Sequence, residues 1–243
     1  MKTQRIIFTL FLIGTVFGGS DLFASCNVIG EHGNGNVIKQ DRPVSGFVGI
    51  DISGAFDVYL KQGETESCAI EADENLQSAI ITEVTGKTLK IYLNKPIHHC
   101  TTMKAFITVK DLRYIEISGA SNIKTENTLD VNELQIESSG ASDSEMDLKV
   151  QTLNIDCSGA SKLEFSGTAG TVTADLSGAC DIFAFGFTTE NFILSLSGAG
   201  EAEITVTKKI QAEISGAGSV RYKGNPTIVD KWVSGAASMK KVD

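Results

Sequence analysis

Histidine and tryptophan are scarce in this chain, with three and one among 243 residues, and proline contributes only three. So little proline excludes collagen-like and proline-rich classes, despite 24 glycines. Cations are outnumbered: 21 Lys and Arg face 30 Asp and Glu, a net charge of −9. Nucleic-acid binding needs clustered Lys and Arg against phosphate, so that class is excluded. No apolar run of membrane-spanning length follows residue 18. Cysteine pairs at zinc spacing are absent. The glycines from Gly30 to Gly35 lack Gly-Lys-Ser/Thr and open no helix, so they form no phosphate loop. No Gly-x-Ser-x-Gly elbow with triad partners occurs, which excludes a serine hydrolase. What remains, 42% hydrophobic and 21% charged, is an ordinary globular composition.

The N-terminus reads as a targeting segment over residues 1–25. Lys2 and Arg5 form a positive start, and Ile6 to Gly18 an apolar run shorter than a membrane span. Phe23-Ala24-Ser25-Cys26 ends it. Cleavage near Ala24 releases a soluble protein. Cleavage before Cys26 leaves a lipidated cysteine, the one expected route to a membrane. Either way the expected location is the periplasm, outer membrane or cell surface.

The tripeptide Ser-Gly-Ala occurs eight times, at Ser53, Ser118, Ser139, Ser158, Ser177, Ser197, Ser215 and Ser234. From Ser118 the spacing stays near 19 residues, the mark of a solenoid. One residue before each serine stand Ile117, Ser138, Cys157, Leu176, Leu196, Ile214 and Val233; three before, Ile115, Ile136, Ile155, Ala174, Leu194, Ala212 and Lys231. Alternation with polar positions makes each run a half-buried strand. The period excludes helical repeats, and the leucine–asparagine pattern of leucine-rich repeats is absent. The expected fold is all-β: a single-stranded, right-handed β-helix of about 19–21 residues per coil. Residues 26–43 read as a linker or cap, and 44–243 as the solenoid, with irregular rungs over 44–112 and regular ones over 113–243. In the irregular part, runs ending at Ser53, Asp73 and Asn94 look like successive rungs, and Ile80–Leu93, broken at Thr85-Gly86-Lys87, like a hairpin. Lys231, Lys240 and Lys241 suit a polar terminal cap.

In each corner, glycine supplies positive φ, alanine is small enough to point inward, and serine hydroxyls bond locally or along the stack. The repeat is thus fold grammar rather than a set of catalytic serines. An exported protein permits disulfides. Cys68–Cys100 is the preferred pair; Cys157 reads as a core residue, and Cys157–Cys180 is the alternative.

Beyond the repeat, Gly33-Asn34-Gly35-Asn36-Val37, Arg42-Pro43-Val44-Ser45-Gly46-Phe47, Gln62-Gly63 and Glu71-Ala72-Asp73-Glu74-Asn75-Leu76 resemble a bacterial family, the putative auto-transporter adhesin, head GIN domain. The resemblance spans nearly all of the chain after the targeting segment. It implies adhesion and carries no catalytic residues.

Two residues before the serines, Glu116, Glu137, Asp156 and Asp175 should stack outward at one-rung spacing, where like charges repel. Bound Ca²⁺ or a basic partner would relieve them; the plainer reading is a solvated face that discourages edge pairing. No other cofactor is expected. Four after the serines, Asp143, Lys162 and Asp181 are a faint lyase-like mixture supported only by fold analogy. His98-His99-Cys100 alternates direction and makes a poor metal site. Tyr222 and Trp232 suit either sugar stacking or capping of the core. The functional expectation is an exported cell-envelope protein binding a glycan or protein. The alternatives are a carbohydrate-active β-helix enzyme and a self-associating structural protein.

Overall fold

A computed structural model describes residues 30–243. The targeting segment and Cys26 lie outside them. Among the described residues no helix is long and apolar enough to cross a membrane.

In chain order the strands are β1 Glu31–His32, β2 Val37–Arg42, β3 Gly49–Gly54, β4 Asp57–Gln62, β5 Ser67–Asp73, β6 Ile80–Thr85, β7 Thr88–Leu93, β8 Ile97–His99 and β9 Met103–Val109. Then follow β10 Tyr114–Gly119, β11 Asn122–Thr125, β12 Leu129–Gly140, β13 Asp143–Gly159, β14 Lys162–Gly178, β15 Asp181–Gly198, β16 Glu201–Gly216, β17 Ser219–Lys223, β18 Ile228–Val233 and β19 Ser238–Lys241. From β10 onward every pairing is parallel and joins one turn to the next, which makes the fold a β-solenoid.

The register follows the sequence alignment. Ser118, Ser139, Ser158, Ser177, Ser197 and Ser215 stand opposite one another, as do the glycines after them. Inward columns such as Ile115, Ile136, Ile155, Ala174, Leu194 and Ala212 are buried and fuse into one core.

The corners hold by backbone rather than by serine. All eight Ser-Gly-Ala glycines have positive φ, from 80° at Gly235 to 150° at Gly140. A Cβ on Gly159 would run into the carbonyl oxygen of Gly140, one turn earlier. That carbonyl accepts the Ala160 N–H at 2.8 Å, and the bond recurs along the stack, for example from Ala141 to Gly119 and from Ala179 to Gly159. The corner alanines from Ala120 to Ala217 face solvent, contrary to expectation. Glycine's turn directs the next residue inward instead: Ser121, Ser142, Ser161 and Cys180 are buried.

This inward corner column meets the column one before the serine, one rung away. Ser138 and Ser161 hydroxyls lie 2.9 Å apart, and both bond Ser142. At the equivalent places one turn on, Cys157 and Cys180 form a disulfide, with Cα atoms 6.3 Å apart. The expected Cys68–Cys100 bridge does not form; both are free thiols. In the antiparallel β5–β9 pair Cys68 stands opposite Ile107. Cys100 precedes β9 and adjoins Thr101, whose N–H donates to Asp73, five residues along β5 from Cys68; that is roughly 17 Å at strand rise, where a bridge needs Cα atoms within about 7 Å. Burial pushes the Cys68 thiol up to about 12.

The N-terminal region departs from a sequential stack. The Ser53 turn stacks directly on the Ser118 turn, with Ser53 opposite Ser118 and Asp57 opposite Asn122. Its other side is covered by β7 and β9. The run ending at Asp73 is no parallel rung: β5 pairs antiparallel with β2 and β9. The chain reverses between β4 and β5, since β9 is parallel to β4 and antiparallel to β5. The β6–β7 hairpin, with Gly86 and Lys87 at φ 57° and 69° between Thr85 and Thr88, turns it back so that β7 runs parallel to β3. Two family-like segments lock together here. Buried Asp73 accepts the Gly35 and Thr101 N–H groups, each at 2.7 Å, and Asn36 Nδ2 donates to Glu74 at 2.8 Å.

At the other end β18 and β19 each have one strand neighbour. Lys231, Lys240 and Lys241 are exposed there as expected, but so are Ile228, Val229, Trp232 and Val233, so the last rung is a mixed rim with apolar side chains among the lysines.

Candidate functional site

Parallel register turns one outward position per coil into a straight row. Glu116, Glu137, Asp156 and Asp175 occupy consecutive rungs as expected. The row is longer than expected, because Asp51 stands opposite Glu116 and Lys90 opposite Asp51. Asp51 precedes Ser53 by two, so the same alignment contains it; the intervening 65 residues hid the adjacency. Past Asp175 come Ser195, Glu213 and Trp232.

The ends of the row are compensated and its middle is not. Lys90 Nζ lies 3.2 Å from Asp51, and this hydrogen-bonded ion pair raises the Lys90 pKa. The Tyr114 hydroxyl is 2.9 Å from Glu116 and 3.0 Å from Glu137. Burial first, then those carboxylates, push its pKa upward, so it stays a donor. Gln135 Nε2 donates to Glu137 at 2.7 Å. Asp156 has carboxylates on both sides: partial burial, then Asp175 and Glu137, hold its pKa above the usual carboxylate range. The four acids edge a shallow open groove of about 340 Å³ floored by the serine column. Among the described residues no group of three or more His, Cys, Asp or Glu side chains is placed to hold a metal ion. One carboxylate per rung does not assemble the several oxygens that Ca²⁺ takes.

Asp143, Lys162 and Asp181 do stack on successive rungs. Lys162, however, pairs with Glu164, and that bond together with Asp143 and Asp181 keeps its ammonium charged. A charged ammonium has no lone pair to take the proton a lyase removes. His32 and His98 stack at 4.8 Å between β1 and β8, beside Cys100 on an irregular two-stranded pair. Tyr222 packs against the core, leaving Trp232, 59% exposed, as the free aromatic of the pair.

Comparison with known proteins agrees with this geometry. The family model of the putative auto-transporter adhesin, head GIN domain, matches residues 46–226. A crystal structure of a putative adhesin from Bacteroides fragilis is similar, with 27% identity, 88% of this chain and 100% of that chain covered, and a TM-score of 0.84. A putative lipid binding protein from Parabacteroides distasonis shares the fold at 24% identity, with 88% and 99% coverage and a TM-score of 0.71. So does a putative adhesin from Parabacteroides merdae at 23% identity, with 88% and 99% coverage and a TM-score of 0.65. No curated protein matches the sequence. Glycine corners in register, the mutually locked N-terminal segments and the match over most of its length together place the chain in the putative auto-transporter adhesin, head GIN domain family.

Proposed function

We propose that this is an exported, non-enzymatic binding protein of the cell envelope that adheres to a glycan or protein partner through its solenoid exterior. Family membership and the Bacteroides fragilis relative support an adhesion-like role. The observation that carries the reading is the carboxylate row from Asp51 to Asp175. Backbone register holds like charges at one-rung spacing, and the Asp156 pKa reflects the cost. A basic partner laid along the row relieves that repulsion and is steered by the same field. Direct ion pairing is favoured over bridging Ca²⁺, since each rung offers one carboxylate.

A second reading, self-association, has one observation in its favour: the exposed Ile228, Val229, Trp232 and Val233 on an unpaired end. Lys231 opposes it, because it stands in the inward column opposite Ala212 and puts a charge where a second copy would stack.

Purified protein on arrays of glycans and matrix proteins, in Ca²⁺ and then in EDTA, tests the main reading. Saturable binding is expected. Its basic-partner component should weaken on raising salt or on Asp156→Lys, and should survive EDTA. Array binding that Asp156→Lys leaves unchanged removes the row from the account. Silence across the arrays overturns the adhesion reading itself.

A further inference from the structure

A different outward column lies on the strand segment after the corner. There Phe106, Tyr59, Lys124, Glu145, Glu164 and Phe183 occupy successive rungs. Aromatic rings stand at both ends. Tyr59 and Phe106 stack at 5.1 Å, with Lys39 Nζ 3.4 Å above Phe106. At the far end Phe183 and Phe185 both emerge half-buried on the outer face. Four rung steps separate Tyr59 from Phe183, about 19 Å at the strand spacing.

The Phe183 end is a built protrusion. Between Ala184 and Thr188, β15 carries three residues more than β16, so the strand bulges outward. The bulge resets the alternation: Phe187 turns inward against Phe165, while Phe185 stays outside. The Thr205 hydroxyl donates to the Phe185 carbonyl at 3.0 Å and ties down backbone that the bulge left unpaired.

Two concavities connect these ends. One, about 310 Å³, runs beside Tyr59, Lys124 and Glu145. The other, about 440 Å³, is edged by Phe183 and Phe185. Both are lined by Glu145 and Glu164, so they form one trough along the solenoid axis.

The cations of the trough are already engaged, while two of its carboxylates, Asp57 and Asp143, have no cation in an ion pair among the described residues. Lys124 pairs with Glu145 at 2.6 Å, Lys162 with Glu164, and Arg221 with Glu203. Asn122 donates to Asp57 at 2.9 Å. An anionic ligand would have to break these pairs to bind, and Asp57 and Asp143 would repel it. A neutral polyhydroxylated chain can exchange hydrogen bonds with both signs and lay its C–H faces on the rings once the flexible Lys39, Lys162 and Lys223, whose ammonium groups lie over Phe106, Phe183 and Phe185, turn aside.

We infer that this trough is a binding site for a neutral linear glycan, stacked on Tyr59 and Phe106 at one end and on Phe183 and Phe185 at the other. It is a second site, chemically distinct from the acidic row, and it rests on the reading of the protein as an envelope binder. Recognition depends on chain length, because only a chain of several sugars reaches both aromatic ends. It is also insensitive to salt, because no net charge is exchanged.

Isothermal titration with cellohexaose, maltohexaose and chitohexaose, their disaccharides, and heparin as the charged probe tests it. At least one neutral hexasaccharide should bind saturably, at least about tenfold more tightly than its disaccharide, and change less than about twofold in 1 M NaCl. Phe183→Ala and Tyr59→Ala should each weaken it about tenfold. Both side chains are outward and half-buried, and an unchanged thermal midpoint confirms folding. Should either fail to fold, Phe185→Ala stands in for Phe183→Ala and Phe106→Ala for Tyr59→Ala. Absence of hexasaccharide binding, or equal binding by the variants at both ends, overturns the inference. If the arrays bind through the acidic row while every hexasaccharide is silent, the inference fails alone. If the arrays are silent as well, the adhesion reading fails with it.

Discussion

At the scale of single residues, the corner glycines are the least replaceable positions. Gly159 combines a φ of 147° with a neighbouring carbonyl where a Cβ would sit. Gly159→Val should cost about 2–4 kcal/mol, from backbone strain and forced separation of two turns. In a chain of this size that lowers the thermal midpoint by roughly 5–15 °C in calorimetry. Asp73 is a different kind of keystone. The Thr101 N–H, then the Gly35 N–H and Thr101 hydroxyl, hold its pKa below the usual range against the opposing effect of burial. A depressed carboxylate pKa gives stability that is fully present above the unfolded value, near 3.9, and is lost as pH falls through the folded value. The wild-type midpoint should therefore fall on acidification below about pH 4. Asp73→Asn should start lower at pH 7 and show a flatter profile; an identical profile would rule Asp73 out as the acid-sensitive group. The serine spacing made these corners readable in the sequence. The direction of the alanines was not, because it follows from glycine's φ, which a residue name does not specify.

At the scale of elements, the disulfide closes a loop between rungs. With a sequence separation of 23 between its ends, its removal should cost about 3 kcal/mol. Thiol reduction should lower the midpoint accordingly. Cys157→Ser with Cys180→Ser should keep the fold, since Ser138 and Ser161 already make that corner contact one turn earlier. Native protein treated with iodoacetamide should leave buried Cys68 unlabelled, as its pKa near 12 keeps the thiolate absent at neutral pH. Cys157 and Cys180 were recognisable as the less favoured pair, and aligning the two corner columns one rung apart would have placed them first. The hairpin at Gly86-Lys87 was legible from its turn residues. The reversed direction of β5 was not, because antiparallel and parallel partners share the same alternation. The β15 bulge was only partly legible: Ser177 to Ser197 spans 20 residues and Ser197 to Ser215 spans 18, but a difference in length does not say where the extra residues loop out.

At the scale of the whole molecule, the two solenoid ends are finished differently. Antiparallel β2, β5 and β9 close one end, whereas the last rung leaves apolar side chains and an unpaired edge around Lys231. Replacing that charge should expose the liability: Lys231→Ile should give a mass in light scattering that rises with concentration more steeply than that of the wild type. Equal masses would show that the remaining rim suffices. The sequence announced the solenoid and the acidic row because both repeat along the chain. Ends do not repeat, so the closure at one end and the bare rim at the other became visible only in three dimensions.

The Ser53 turn is trapped between β7 and β9 on one side and the Ser118 turn on the other. Its neighbour in space is therefore 65 residues away in the chain. Downstream of Ser118 every turn rests on the one just before it, so a whole coil can be duplicated or lost there and the stack simply lengthens or shortens. Upstream, the same event would shift the Ser53 turn out of its slot and misalign everything built on it. Descendants of this gene should thus vary in length on one side of that boundary and hold constant on the other, with the seam at Ser118.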